Sequence, residues 1–142
     1  MVVDPVGAVS NKAMSYQGQA PHFSVVDYRW EQVGDGGIQT TPGELVRWAD
    51  NYRTARVGGL HWQRAVLAHA VKAPDPSGKP AKYGAGILSN DDGSLGHPGA
   101  WEGFVTDFWI SPDRNTAIAV ACNKTLDPHG VTDSLISIWT TS

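Results

Sequence analysis

The spacing of apolar positions changes partway along the chain, and the change divides it into helical and extended parts. Leu45, Trp48, Ala49 and Tyr52 recur at i, i+3, i+4 and i+7, one face of a helix. Thr41 stands where an N-cap belongs, Pro42 suits the first helical position, and Glu44 completes a Thr-x-x-Glu capping box, so the spacing predicts a helix from Pro42. After Gly58-Gly59, Leu60 to Val71 predicts a second helix that stops before Pro74, and "PDPSGKPAK" reads as a surface loop. From Tyr83 the period falls to two. "YGAGILS", "SLG", "GFVTDFWI" and "TAIAVACN", separated by the turns "NDDG" and "SPDRN", predict three or four antiparallel strands in sequence order.

Within "GFVTDFWI", Phe104, Thr106, Phe108 and Ile110 share one face and Val105, Asp107 and Trp109 the other. Both faces are mostly apolar, so both are expected to be covered. "HGVTDSLISIWTTS" spaces Val131, Leu135 and Ile138 as an amphipathic helix lying on the sheet. Residues 1–33 carry little periodicity, being interrupted by Pro5, Gly7, Gly18 and Pro21, and only "HFSVVDY" reads as a short strand. The order helix, helix, meander, helix predicts an α+β fold: an antiparallel meander sheet flanked by helices. Residues 1–142 are expected to form a single partial domain, with 1–33 as an irregular N-terminal segment.

Composition narrows the function classes. With 142 residues, 41% of them hydrophobic, the chain can bury one core. A net charge of −3 and basic residues that cluster along no segment leave no footprint for nucleic acid. No apolar run approaches a membrane span, and no basic start followed by an apolar run marks an export signal, so the compartment stays open. The one cysteine, Cys122, excludes an internal disulfide and reads as a buried, inert residue. Most of the six tryptophans read as core.

Candidate chemistry concentrates in "SLGHPGAWEGF", Ser94 to Phe104, which holds Gly96, Gly99, Gly103, Pro98, His97, Trp101 and Phe104. Glycines between strands mark close approach of another backbone or a ligand, so this stretch is either a turn or the wall of a site. Taken alone, His97 is a turn histidine beside a proline. Elsewhere the signals are weak. His61 and His69 are eight apart, too far for a zinc-binding pair on one helix, and "GDGG" lacks the Gly-Lys-Ser/Thr of a phosphate loop. Asp35 reads as a turn residue and Asp107 as paired or solvated. No serine is followed by lysine three residues on, and none of Tyr16, Tyr28, Tyr52 and Tyr83 has asparagine two residues on.

"GDGGIQTTPGELVRWADNY" resembles the glycine-rich turn and helix of the serine β-lactamase and penicillin-binding-protein superfamily, in the branch of class C β-lactamases, D-aminopeptidases and esterases. "YGAGI…GHPGAWEGFVTDFWISPDRNTAIAVACN" is similar to later strands of that family, and together the resemblance covers about residues 22–142. It implies part of a β-lactamase-like α/β sandwich. It also implies that His97-Pro98-Gly99 matches the His-x-Gly box on the strand lining the cleft. His97 would project into the cleft, the Ala100 N–H would be an oxyanion donor, and Pro98, Gly99 and Trp101 would contact substrate, with the glycines admitting its backbone. The implied reaction is acyl transfer on a small-molecule ester, amide or β-lactam, with no metal and no organic cofactor.

The family's Ser-x-x-Lys and Tyr-x-Asn boxes lie N-terminal to the matched region. The chain is therefore expected to be a C-terminal fragment of a serine hydrolase, inactive by itself; the alternative is a non-catalytic ligand-binding module that keeps the cleft wall. Pairing in sequence order makes Tyr83–Ser89 and Thr116–Asn123 the outer strands. The latter has no charge, proline or bulge signal before Lys124, and unblunted edges invite pairing. Its expected partner is a missing N-terminal half, as in the resembled family, or a second copy, or an aggregate.

Overall fold

The computed structural model describes residues 2–3, 10–26, 34, 36–74 and 78–140. In chain order the elements are β1 (Val2–Val3), β2 (Tyr16–Gln19), β3 (His22–Val25), β4 (Ile38–Gln39), α1 (Pro42–Ala49), α2 (Asn51–Thr54), α3 (Gly59–Ala65), β5 (Val71–Pro74), β6 (Pro80–Tyr83), β7 (Leu88–Asn90), β8 (Leu95–Trp101), β9 (Phe104–Ile110), β10 (Ala117–Cys122) and α4 (His129–Thr140). Asp35 and Tyr28, named in the sequence analysis, lie outside the described residues, as do Pro5, Gly7 and, of the six tryptophans, Trp30.

The α1 start follows its code. The Thr41 hydroxyl accepts the Glu44 N–H at 3.3 Å, and Pro42 opens the helix. The carboxylate of Glu44 takes the Thr40 hydroxyl at 2.8 Å, and this bond holds its carboxyl below the ordinary value. α2 ends at Ala55, whose φ of 50° is left-handed, and the Asn51 side chain secures the following turn by bonding both the N–H and the carbonyl of Val57.

β5 to β10 form one antiparallel sheet in the order β10-β9-β8-β7-β6-β5, a meander like the one the sequence predicts but with six strands. Two predicted boundaries are corrected. The second helix stops at Ala65, and Val71 opens β5 instead of closing the helix. After Val66 the chain is held by the Ala85 N–H, which donates to the Val66 carbonyl at 2.7 Å, so pairing with a distant segment overrides the local helical spacing. "PDPSGKPAK" is accordingly not all loop, because Pro74 and Pro80 face each other across the β5–β6 ladder. Among the described residues the outer strands are thus β5 and β10. Tyr83–Ser89 is internal, a correction, while the outer position of Thr116–Asn123 agrees with the expectation. Within the described part of residues 1–33, β2 and β3 pair as a hairpin.

Register assigns the faces. Ala117↔Ile110↔Leu95 and Ala119↔Phe108↔His97 align on one side of the sheet, and Ile118↔Trp109↔Gly96 and Val120↔Asp107↔Pro98 on the other. On the first side Ala49, Tyr52, Ile87, Leu95, Phe108 and Ile110 form the core, with Leu45, Trp48, Trp62, Leu67, Ala117 and Ala119 packed against it. Burying each large apolar side chain there contributes about 1.5–3 kcal/mol. Trp62 meets Trp48 edge-on at 5.7 Å and Tyr52 at 5.4 Å. Trp48 and Trp62 pack against the core and Trp109 is half-buried, while Trp101 and Trp139 are exposed. Cys122 is half-buried, because β10 is an edge.

The second side carries α4, packed over β9 and β10. Its first turn is tied down by His129 Nδ1, 3.1 Å from the Asp107 carboxylate. That tie fixes the rotation of the helix, so that Thr132 is buried and Ile136 half-buried, while Val131 and Ile138 are 48% and 68% exposed. Of the apolar stripe predicted to lie on the sheet, only Leu135 is half-buried, and its two neighbours in the stripe are not covered. No helix among the described residues is long and apolar enough to cross a membrane.

Candidate functional site

The site is built on β8. β7 has only three residues and pairs with β8 at Leu95 and Gly96 alone. It is short because the chain turns through Gly84–Ile87, where the Gly84 N–H bonds the Ile87 carbonyl at 2.8 Å and Gly86 takes a φ of 80°. From His97 to Ala100, β8 therefore has β9 on one side and, among the described residues, no ladder partner on the other. A proline within a ladder is accommodated with its nitrogen on the unpaired side. Residues two apart in a strand point their N–H groups the same way, so the Ala100 N–H faces that open edge.

His97 stands at this edge with both ring nitrogens engaged. Nδ1 is 2.5 Å from the Pro98 carbonyl and Nε2 is 2.8 Å from the Tyr83 hydroxyl. A carbonyl can only accept, so Nδ1 carries a proton toward Pro98, while Nε2 and the Tyr83 hydroxyl share a hydrogen bond. The two rings stack obliquely, with centroids 5.6 Å apart. His97, Pro98 and Gly99 are half-buried, while Ala100 and Trp101 are exposed. The five predicted residues are thus consecutive on one accessible strand. Tyr83 was not singled out by the sequence, because the motif that would have flagged a tyrosine depends on a neighbouring asparagine.

The glycines have internal causes. A Cβ at Gly96 would lie 2.7 Å from the Phe108 carbonyl oxygen, and one at Gly99 would collide with the Thr106 hydroxyl. Gly103, with φ 87°, and Glu102, with φ 42°, form the two-residue turn between Trp101 and Phe104, with left-handed backbone at both central positions. Cross-strand packing and the hairpin account for all three, so the expectation that they admit a substrate backbone is not needed to explain them.

On the α4 side, a cavity of about 380 Å³ is bordered by Pro98, Asn90, Asp107, His129, Thr132 and Asp133. Asp107 is 7% exposed and its hydrogen-bond partner is His129, which answers the choice between paired and solvated in favour of paired. The Asn90 amide oxygen in this wall is buried without a hydrogen-bond partner. At the rim, burial works to raise the Asp92 carboxyl, but hydrogen bonds from the Ser94 hydroxyl and N–H together with Lys79 outweigh it and hold the group low. Among the described residues no group of three or more histidine, cysteine or carboxylate side chains is placed to hold a metal ion.

No curated protein matches the chain. A family model described as Beta-lactamase matches residues 3–137 of the 142, a span that includes the whole meander, α1 and most of α4. The strand that carries His97-Pro98-Gly99-Ala100, the helix capped by Thr41 and the terminal helix over the sheet are thus parts of one matched domain, and the chain belongs to the Beta-lactamase family, whose function is of the serine-hydrolase type.

Proposed function

We propose that this chain forms one wall of an acyl-transfer cleft in a serine hydrolase of the class C β-lactamase, D-aminopeptidase and esterase branch, acting on an ester or amide. The observation that carries this reading is the edge of β8 from His97 to Ala100, which among the described residues has no ladder partner on the β7 side, with an ordered imidazole beside it. The attacking serine comes from outside these 142 residues, since none here stands in Ser-x-x-Lys. The chain is then the C-terminal part of a larger hydrolase. As the serine oxygen bonds to the substrate carbon, the carbonyl oxygen gains charge and the Ala100 N–H donates to it. Such a donor lowers the barrier by about 3–4 kcal/mol. His97, its Nδ1–H held by the Pro98 carbonyl, orients the substrate and sets the proton network at Nε2. Gly99 and Trp101 flank the acyl group. Pro98 has no hydroxyl for a substrate carboxylate, so simple esters and D-amino-acid amides are preferred over penicillins.

The test uses an aryl phosphonate monoester, which mimics the tetrahedral oxyanion, titrated into the ¹⁵N-labelled chain. The Ala100 and Trp101 amides and the His97 ring nitrogens are expected to shift together and saturably. Shifts absent from β8, or confined to another surface, overturn the reading.

A second reading, a non-catalytic module that recognises acylated ligands with the same wall, is favoured by the missing Ser-x-x-Lys. The two part at a serine-directed fluorophosphonate. The hydrolase reading expects no adduct on this chain and a stable adduct once an upstream segment with the nucleophile is present, whereas the module expects none in either case.

A further inference from the structure

His97 has no polar atom left for a ligand. Its Nδ1 is held by the Pro98 carbonyl and its Nε2 by the Tyr83 hydroxyl, and an imidazole has no third nitrogen. The Tyr83 hydroxyl is in the opposite position. A phenol oxygen has one proton and two lone pairs, so the bond to Nε2, whichever way its proton points, leaves at least one lone pair. Among the described residues no second group takes it, and Tyr83 is 36% exposed.

Placement points the same way. Pro98 stands two residues before Ala100, so its carbonyl and the Ala100 N–H leave β8 on one side, the side that has no ladder partner among the described residues. Because Nδ1 grips the Pro98 carbonyl, the imidazole and the hydroxyl on its other nitrogen lie along that side too. A carbonyl oxygen seated at the Ala100 N–H therefore has the Tyr83 hydroxyl as its neighbour in the direction of Pro98. About 6.6 Å of strand separate Pro98 from Ala100. Two hydrogen bonds of about 2.9 Å and one ester or amide group about 2.2 Å across reach that far.

We propose that Tyr83 is the member of this pair that touches substrate, its hydroxyl meeting the oxygen or nitrogen that departs, and that His97 is a positioning residue acting through it. The inference rests on the reading of β8 as a cleft wall. A hydroxyl gives or takes a hydrogen bond, so one group serves both the lone pair of an ester oxygen and the N–H of an amide, where an ammonium or a carboxylate would serve only one of the two. The hold on both imidazole nitrogens suits His97 to positioning. It fixes the ring, and the ring fixes the hydroxyl of a side chain that reaches round the end of β7.

The test titrates phenyl methylphosphonate, whose phenoxy oxygen stands for the departing atom, into the ¹⁵N-labelled full chain. The affinity is taken from the Ala100 amide in wild type, Tyr83→Phe, His97→Ala and the double variant. Tyr83→Phe should weaken binding about three- to tenfold, the worth of one hydrogen bond. His97→Ala should weaken it by no more than that, and the double variant should bind no more weakly than Tyr83→Phe alone, because the histidine has nothing to position once the hydroxyl is gone. In wild type, which depends on no variant folding, the phenyl protons of the bound ligand should show nuclear Overhauser contacts to the Tyr83 ring. Tyr83→Phe binding as tightly as wild type, a double variant at least about threefold weaker than Tyr83→Phe, or a bound ligand without contact to the Tyr83 ring would each overturn the inference while leaving the cleft reading intact. No shift of the Ala100 amide in wild type would overturn both.

Discussion

The Tyr83 hydroxyl lies 2.8 Å from Nε2 of His97, although the two residues belong to strands that are not neighbours in the sheet. β7 separates β6 from β8, but it ends at the level of Gly96, and the tyrosine reaches round its end. The contact therefore exists because one strand is short.

Tyr83→Phe removes the hydroxyl and leaves the Nδ1 bond to the Pro98 carbonyl in place. The expected outcome is a change in the ¹⁵N shift of Nε2 with little change at Nδ1, and a stability loss of no more than about 1 kcal/mol, because the bond is exposed. Ring-nitrogen NMR and urea unfolding report the two quantities. An unchanged Nε2 signal would show that the hydroxyl is not its partner in solution.

Gly96 and Gly99 face different obstacles, the Phe108 backbone and the Thr106 side chain respectively. Each Gly→Ala change should destabilise by about 1–3 kcal/mol through overpacking, with Gly96→Ala the worse, since a backbone carbonyl in a ladder cannot step aside. Thr106→Ala should recover most of the loss in the Gly99→Ala background and none in the Gly96→Ala background. Denaturation midpoints of the four variants decide it, and equal recovery in both backgrounds would contradict the assignment.

Asp107 and His129 join β9 to the start of α4 across the wall of the cavity. Asp107→Ala leaves the His129 N–H facing a space without its acceptor, at an expected cost of about 1–3 kcal/mol. Asp107→Asn keeps an acceptor oxygen and should cost less. Urea titrations monitored by tryptophan fluorescence compare the two, and an Asn variant as unstable as the Ala variant would mean that the charge, rather than the hydrogen bond, holds the helix.

In the turn after β9 the Asp113 carboxylate accepts the Ser111 hydroxyl at 2.5 Å and the Asn115 N–H at 3.0 Å, and these bonds lower its pKa from 3.8 to about 2. A carboxyl depressed in the folded state stabilises it above the unfolded value, and that contribution is lost as pH falls through the folded value. Wild type should therefore lose more stability than Asp113→Asn between about pH 4 and pH 2, and the two should run parallel above pH 5. Parallel behaviour across the whole range would show that the carboxylate is not held in solution as it is here.

The strand that carries the candidate site was legible from its residues. Gly-Ala-Trp following His-Pro places the five candidate residues on one strand, and the alternation after Phe104 fixes which side chains share a face. Tyr83 was not legible, because its partner lies fourteen residues away across an intervening strand. The reason for the glycines was not legible either: a sequence shows where a Cβ is missing but not which atom stands in its place.

By itself the sequence determined what depends on near neighbours: the α1 start at Thr41-Pro42 with Glu44, the strand period from "GFVTDFWI" to "TAIAVACN", and the bare, uncharged character of β10. Tertiary structure decided what depends on distant backbone. The Val66–Ala85 bond cut the second helix short, β7 stopped before His97 and left an open edge, and the Asp107–His129 pair turned α4 so that Val131 and Ile138 face outward. Periodicity tells that a helix has an apolar stripe. It carries no information about rotation of the helix about its axis, and here one long-range hydrogen bond sets that rotation.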